Sequence, residues 1–107
     1  MTASDDVDDE LFWDLAEPMI GAGKIVEGEL MRSRCVRVGK EFLAMPEYLT
    51  GDLVVKLPRE RVDELIASGE GLAFAPAKKV FREWVQVPAR DGVLWQRLLD
   101  EGYEFVS

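Results

Sequence analysis

Two linked stretches decide the fold: Cys35-Val-Arg-Val-Gly-Lys-Glu-Phe-Leu-Ala-Met-Pro46 and, after a short loop, Asp52-Leu-Val-Val-Lys-Leu-Pro-Arg-Glu-Arg-Val-Asp-Glu-Leu-Ile-Ala67. They read as a hairpin, a third strand and a helix able to cover them. Val36 and Val38 share one strand face, and Cys35 and Arg37 the other, the alternation of a strand with one buried face. Gly39-Lys40 separates two apolar runs, and glycine at the first central position suits a two-residue type II′ turn. That register sets Val36 opposite Leu43 and Arg37 opposite Phe42. Pro46 cannot donate to a ladder and ends the strand. Glu47 to Gly51 is a loop. Leu53, Val55 and Leu57 then point one way, Val54 and Lys56 the other. Pro58 suits the first turn of a helix, Val62, Leu65 and Ile66 recur at helical spacing, and Gly69 is placed to end it.

Upstream, residues 1–7 read as a flexible acidic start and residues 8–107 as a single domain. Ser4 or Asp6 is placed to cap a first helix whose apolar stripe is Leu11, Phe12, Leu15 and Met19. Pro18 and then Gly21-Ala-Gly23 break that helix. Lys24 to Met31 can form a first strand, in which Gly28 marks a bulge. Downstream, Gly69-Glu-Gly71 turns the chain, Leu72 to Ala75 is a short strand or extended piece, and Ala77 to Lys79 a loop. Val80 to Val87 reads as the last strand, with Phe81, Val85 and Val87 on one side and Arg82, Trp84 and Gln86 on the other. The final helix, Val93 to Val106, carries Trp95, Leu98, Leu99 and Val106 on one stripe. Gly102 lies on the same stripe, where it permits close helix approach. The expectation is an α+β domain. One antiparallel sheet of five or six strands carries three helices, in the order helix, three or four strands, helix, one or two strands, helix.

Composition narrows the chemistry. The chain has 107 residues, no histidine and one cysteine. Histidine is the commonest general base and metal ligand, and Cys35 alone makes neither an internal disulfide nor a cysteine zinc site. No apolar run approaches the length of a membrane span, and the acidic start is unlike a signal peptide, so the expected place is the cytoplasm. The net charge is −8, but its distribution is uneven. Asp5, Asp6, Asp8, Asp9, Glu10, Asp14 and Glu17 give residues 1–23 a charge of −7 with no basic residue, and the remainder balances 13 basic against 14 acidic side chains. The acidity therefore says little for or against a nucleic-acid surface on the folded part.

From about Val26 onward the chain resembles the TfoX N-terminal-domain-like proteins and, more distantly, the MmcQ/YjbR-like proteins. The pieces that carry the resemblance are Val36-Arg-Val-Gly-Lys-Glu-Phe-Leu-Ala-Met45, Asp52-Leu-Val-Val-Lys-Leu-Pro-Arg-Glu-Arg61, Ala67-Ser-Gly69, Phe81-Arg-Glu-Trp-Val85 with Val87-Pro88, and the last helix. Where the TfoX-type pattern has Met-Phe-Gly ahead of the hairpin, this chain has Leu30-Met31-Arg32. The resemblance implies a sheet-and-helix domain of the secretion-chaperone-like, YjbR-like kind. It further implies a link to regulation of competence genes, often with a second domain, or to DNA binding. It implies no catalytic centre.

The residues themselves leave three functional classes. An enzyme needs a nucleophile with a base, or a metal. Cys35 has no such partner, Asp63-Glu64 reads as a solvated helix face, and neither Gly21-Ala-Gly23 nor Gly69-Glu-Gly71 completes a phosphate loop. The expectation is a non-enzymatic chain with no cofactor and no metal. A nucleic-acid surface would use Arg32, Arg34, Arg37 and Lys40 around the hairpin, and Lys78, Lys79 and Arg82 near the last strand. Glu29, Glu41 and Glu83 interrupt both groups. A protein-interaction or self-association surface would use Phe42, Tyr48, Lys56 and Trp84, with Phe42, Lys56 and Trp84 on the sheet face opposite the helices. A small-molecule pocket between sheet and helix has no diagnostic residue.

Overall fold

The computed structural model describes residues 8–30 and 33–107. The elements are α1 (Glu10–Gly21), β1 (Val26–Leu30), β2 (Ser33–Val38), β3 (Glu41–Pro46), β4 (Leu53–Lys56), α2 (Arg59–Ser68), β5 (Leu72–Ala73), β6 (Trp84–Val87) and α3 (Gly92–Val106), with a 3-10 turn at Pro76–Lys78. The strands form one antiparallel sheet in the order β1-β2-β3-β4-β6-β5. This is the α+β arrangement expected, with six strands and three α-helices among the described residues.

The helices lie on one sheet face, where each buries its apolar stripe. Phe12, Ala16 and Met19 of α1, Val62 and Leu65 of α2, and Leu94, Trp95, Leu98 and Leu99 of α3 meet Val36, Leu43, Ala44, Val55, Val85 and Val87 of the strands. Trp95 and Phe12 are the largest fully buried side chains. The Gly39 turn has φ +61 while Lys40 keeps a negative φ, as a type II′ turn requires, and Gly69 ends α2 at φ +85.

Several details depart from the sequence pattern. Arg37 does face Phe42, but Val36 pairs with Ala44, because a bulge lies between the two positions. Leu43 and Ala44 both reach the helix-side core as a result. Pro18 does not end α1: the helix runs on to Gly21, and Met19 beyond the proline is buried. The helix starts at Glu10 after Asp9, and the proposed caps Ser4 and Asp6 lie outside the described residues. Gly28 makes no bulge, since β1 pairs with β2 without a register shift. The last strand begins only at Trp84, and Phe81 belongs with Trp84 on the side away from the helices.

The sheet also has a second buried face. Cys35, Met45, Val54 and Phe74 form a small cluster there, flanked by Leu30, Phe42, Phe81 and Trp84. Two-sided burial explains why Val54, between two helix-facing residues, is itself fully buried. The cover on this side is the segment between β5 and β6, where the Phe81 amide donates to the Phe74 carbonyl (3.0 Å) and the Trp84 amide to the Phe81 carbonyl (3.1 Å).

Gly102 is where α3 comes closest to the sheet. A methyl group there would lie 2.8 Å from the Lys56 carbonyl oxygen, 2.8 Å from Leu43 Cδ1 and 3.1 Å from Val55 Cγ2. Alanine is ordinarily the better helix former by about 1 kcal/mol, so overpacking and propensity oppose each other. Overpacking wins, because the nearest neighbour includes backbone. Gly102→Ala is expected to lower stability in urea unfolding by about 1–3 kcal/mol. Gly21→Ala, with nothing within 4 Å of the added carbon, is expected to be neutral or slightly stabilising.

Candidate functional site

The side of the sheet away from the helices carries most of the residues that the sequence singles out, and the loop 47–51 rises beside it. That loop is built from the Glu47 side chain outward. Glu47 Oε1 accepts from the Leu49 amide (2.7 Å) and the Thr50 amide (3.1 Å). The Glu47 carbonyl accepts from the Gly51 amide (2.7 Å), and the Glu47 amide donates to the Asp52 carbonyl (2.8 Å). Gly51 takes φ +81, and a side chain there would collide with the Asp8 carbonyl.

One arginine ties this loop to the rest of the chain. Arg90 Nη1 donates to Asp52 Oδ1 (2.8 Å) and to the Pro88 carbonyl (2.7 Å), and Nη2 donates to the Thr50 carbonyl (2.7 Å) and the Asp8 carbonyl (3.1 Å). The other Asp52 oxygen accepts from Gln86 Nε2 (2.8 Å). Only 10% of the Asp52 side chain is exposed, so its charge is held in place by these donors and not by water. Burial pushes the Asp52 carboxyl up, but hydrogen bonds from Arg90, Gln86 and Thr50 outweigh it and hold the group below the ordinary aspartate range. In the sequence Arg90 carries little signal: it is one basic residue between Pro88 and the Asp91 that caps α3 by accepting from the Val93 and Leu94 amides.

The clamp holds Tyr48 and Leu49 out in solvent, 63% and 64% exposed. Together with Phe74, Ala75, Pro76 and Gln86 they border a groove of about 390 Å³. Leu72, 51% exposed, pairs with Gln86 along this side. Of the other residues proposed for interaction, Phe42 and Trp84 are half-buried and stacked on each other (centroids 4.2 Å, planes 22° apart). Phe74 and Phe81 continue the stack at 5.6 Å and 4.8 Å from Trp84. Lys56 pairs with Trp84 in register and shares a hollow with Glu41, Glu83, Phe105 and Val106.

The hairpin arginines do not form one patch. Arg34 faces the helices: its guanidinium lies 4.0 Å from the Trp13 ring centroid and 2.5 Å from Glu27 Oε2. Arg37 faces the opposite way, beside Phe42. Lys40 is exposed in the turn, and Arg32 lies outside the described residues. Lys78, Lys79 and Arg82 are exposed, with Lys79 Nζ 5.6 Å above the Phe81 ring. Among the described residues no group of three or more His, Cys, Asp or Glu side chains is placed to hold a metal ion, and no helix is long and apolar enough to cross a membrane. Another hollow, of about 630 Å³, lies on the helix side between Leu15 and the Val93–Glu104 ridge of α3, rimmed by Arg97, Asp100 and Glu104.

Cys35 is 1% exposed, and burial pushes its thiol up against the opposing pull of Arg37. A thiol so placed is a poor nucleophile. It is expected to react with an aromatic disulfide reagent only as fast as the domain opens, with full reactivity in urea.

Arg90→Ala is expected to cost about 2–4 kcal/mol in chemical unfolding, because it leaves the Asp52 carboxylate buried without its main partner. The folded-state pKa of Asp52 is depressed, so its contribution is present above the unfolded value of about 3.9 and is lost as pH falls through the folded value. Asp52→Asn should therefore lower stability at pH 7 and flatten the acid limb of the stability profile below pH of about 4.

Compared with protein-family models, with curated proteins and with solved structures, the chain matches none.

Proposed function

We propose that this chain is a non-enzymatic protein-interaction domain of TfoX N-terminal-like type. It works in the cytoplasm as a regulatory module and uses the groove beside loop 47–51 to hold an apolar segment of a partner protein. The observation that carries this reading is the rigid presentation of Tyr48 and Leu49. Two large apolar side chains stand nearly two-thirds exposed at a loop tip that is fastened by Arg90 bonded to the buried Asp52 and by the Glu47 side chain. Exposed apolar side chains weaken solubility, and a fixed geometry lowers the entropy lost when they are covered. Loops held in this way are the usual place for recognition residues.

A second reading, a DNA- or RNA-binding regulator, is favoured by Lys79 above Phe81 and by Arg37 beside Phe42 on the aromatic side of the sheet. It is the weaker one. Arg34 is engaged by Glu27 and Trp13, and Phe42 and Trp84 stack on each other, so a base would have to compete with an existing aromatic contact.

A photocrosslinking phenylalanine analogue at Tyr48 is expected to capture a discrete partner in cells, and the same probe at exposed Glu64 on α2 is not. Equal labelling at both positions, or turnover of a general substrate panel by the purified chain, would overturn the first reading. The second predicts fluorescence-anisotropy binding of labelled oligonucleotides that weakens by orders of magnitude between about 50 mM and about 200 mM salt. The first predicts no such binding.

A further inference from the structure

β1 is an edge strand. Among the described residues no strand lies beyond it, so one side of Val26–Leu30 offers unpaired backbone groups. Its two faces differ in chemistry. Towards the helices it presents Glu29 and Glu27, the latter already paired with Arg34, with Asp9 and Glu17 of the α1 region adding to an acidic excess around that one arginine. Away from the helices it presents Val26, Gly28 and Leu30, with Val26 46% exposed.

Gly28 has a particular neighbour. The Arg37 side chain crosses it from β2: a methyl group on Gly28 would sit 2.7 Å from Arg37 Nε and 3.1 Å from Cζ. That Nε is buried and has no hydrogen-bond partner, and Arg37 has no ion pair among the described residues. A buried, unpartnered guanidinium nitrogen costs free energy unless something completes it. The missing side chain at Gly28 lets the guanidinium lie across β1, beside the open edge.

We propose that β1 accepts an additional strand from a partner protein, and that this strand carries a carboxylate beside Gly28, bonded to Arg37, flanked by basic residues beside Glu27 and Glu29. Residues adjacent across a ladder share a face, so the complementary sequence alternates: apolar, basic, acidic, basic, apolar. A second copy of this chain does not fit. Antiparallel pairing of β1 with itself sets Glu27 and Glu29 of both copies against each other, and like charges in cross-strand positions repel. The proposal rests on the chain being a protein-binding domain, but it uses a surface separate from the Tyr48 groove.

The test is a fluorescein-labelled peptide, acetyl-Thr-Val-Lys-Glu-Lys-Val-Thr-amide, titrated with the full chain, with amide chemical shifts recorded on the protein. Saturable binding is expected, with the largest shifts in β1 and at Arg37. Arg37→Glu should weaken it about tenfold or more, and changing the peptide's Glu to Lys should restore binding to that variant. Three results would overturn the proposal: no binding at about 1 mM to the folded monomer, equal affinity for Arg37→Glu, or a chain already dimerised through β1. If Tyr48 crosslinking persists while the peptide fails, the interaction reading stands and the strand-addition proposal falls. If the peptide binds with the expected charge swap while Tyr48 captures nothing, the edge is the interaction surface and the groove is not.

Discussion

The Arg90–Asp52 pair joins parts of the chain that lie far apart in sequence. Asp52 begins β4, Arg90 precedes α3, and the same guanidinium reaches the carbonyls of Asp8 and Thr50. The N-terminal approach to α1, the β3–β4 loop and the entry to α3 thus share one cation. A charge pair with only its acid buried is a weak source of net stability compared with well-packed apolar groups. Its value here is geometric. Its hydrogen bonds have fixed directions, so the three segments have one relative placement, and loop 47–51 inherits it.

The sheet owes its uneven character to what covers each side. The helices supply a continuous apolar surface, with Arg61 of α2 gripping Glu101 of α3 through both carboxylate oxygens (2.8 and 3.3 Å). The opposite side is covered by a segment almost without regular structure, held by aromatic stacking and a few backbone hydrogen bonds, one of them from the Leu57 amide to the Glu83 carbonyl. Stacked aromatic pairs add about 0.5–1.5 kcal/mol each beyond area burial, and a short irregular cover has few backbone bonds to resist opening. The side with the recognition features is therefore the less rigid one, apart from the clamped loop.

The fold was legible because its signals are local. The turn glycine, the proline before α2, the apolar stripe of α3 and the close approach at Gly102 each depend on a few neighbouring residues. The misreadings came where tertiary contacts override local pattern. Pro18 sits inside a helix because burying Met19 beyond it outweighs one lost backbone bond. Phe81 fell on the wrong side because a turn, not a strand, precedes Trp84. The site was less legible. Tyr48, Phe42 and Trp84 stand out as types in the sequence, but Arg90 and Asp52 are 38 positions apart, and alternation could not show that Arg34 is occupied by Trp13 and Glu27. Position along β2 did separate Arg34 from Arg37, and grouping them by proximity in sequence obscured it.

The bulge at Leu43 sets a rule for how this chain can change. Within β3 the alternation slips at this point: Leu43 and Ala44 both face the helices, and Met45 lies on the other side. Losing or gaining one residue inside β3 would move the residues on one side of the change to the opposite face. The loop after Pro46 can absorb a change of length, but β3 cannot. In any relatives of this domain the spacing from the Gly39 turn to Pro46 should be a more durable signature than the residues that fill it.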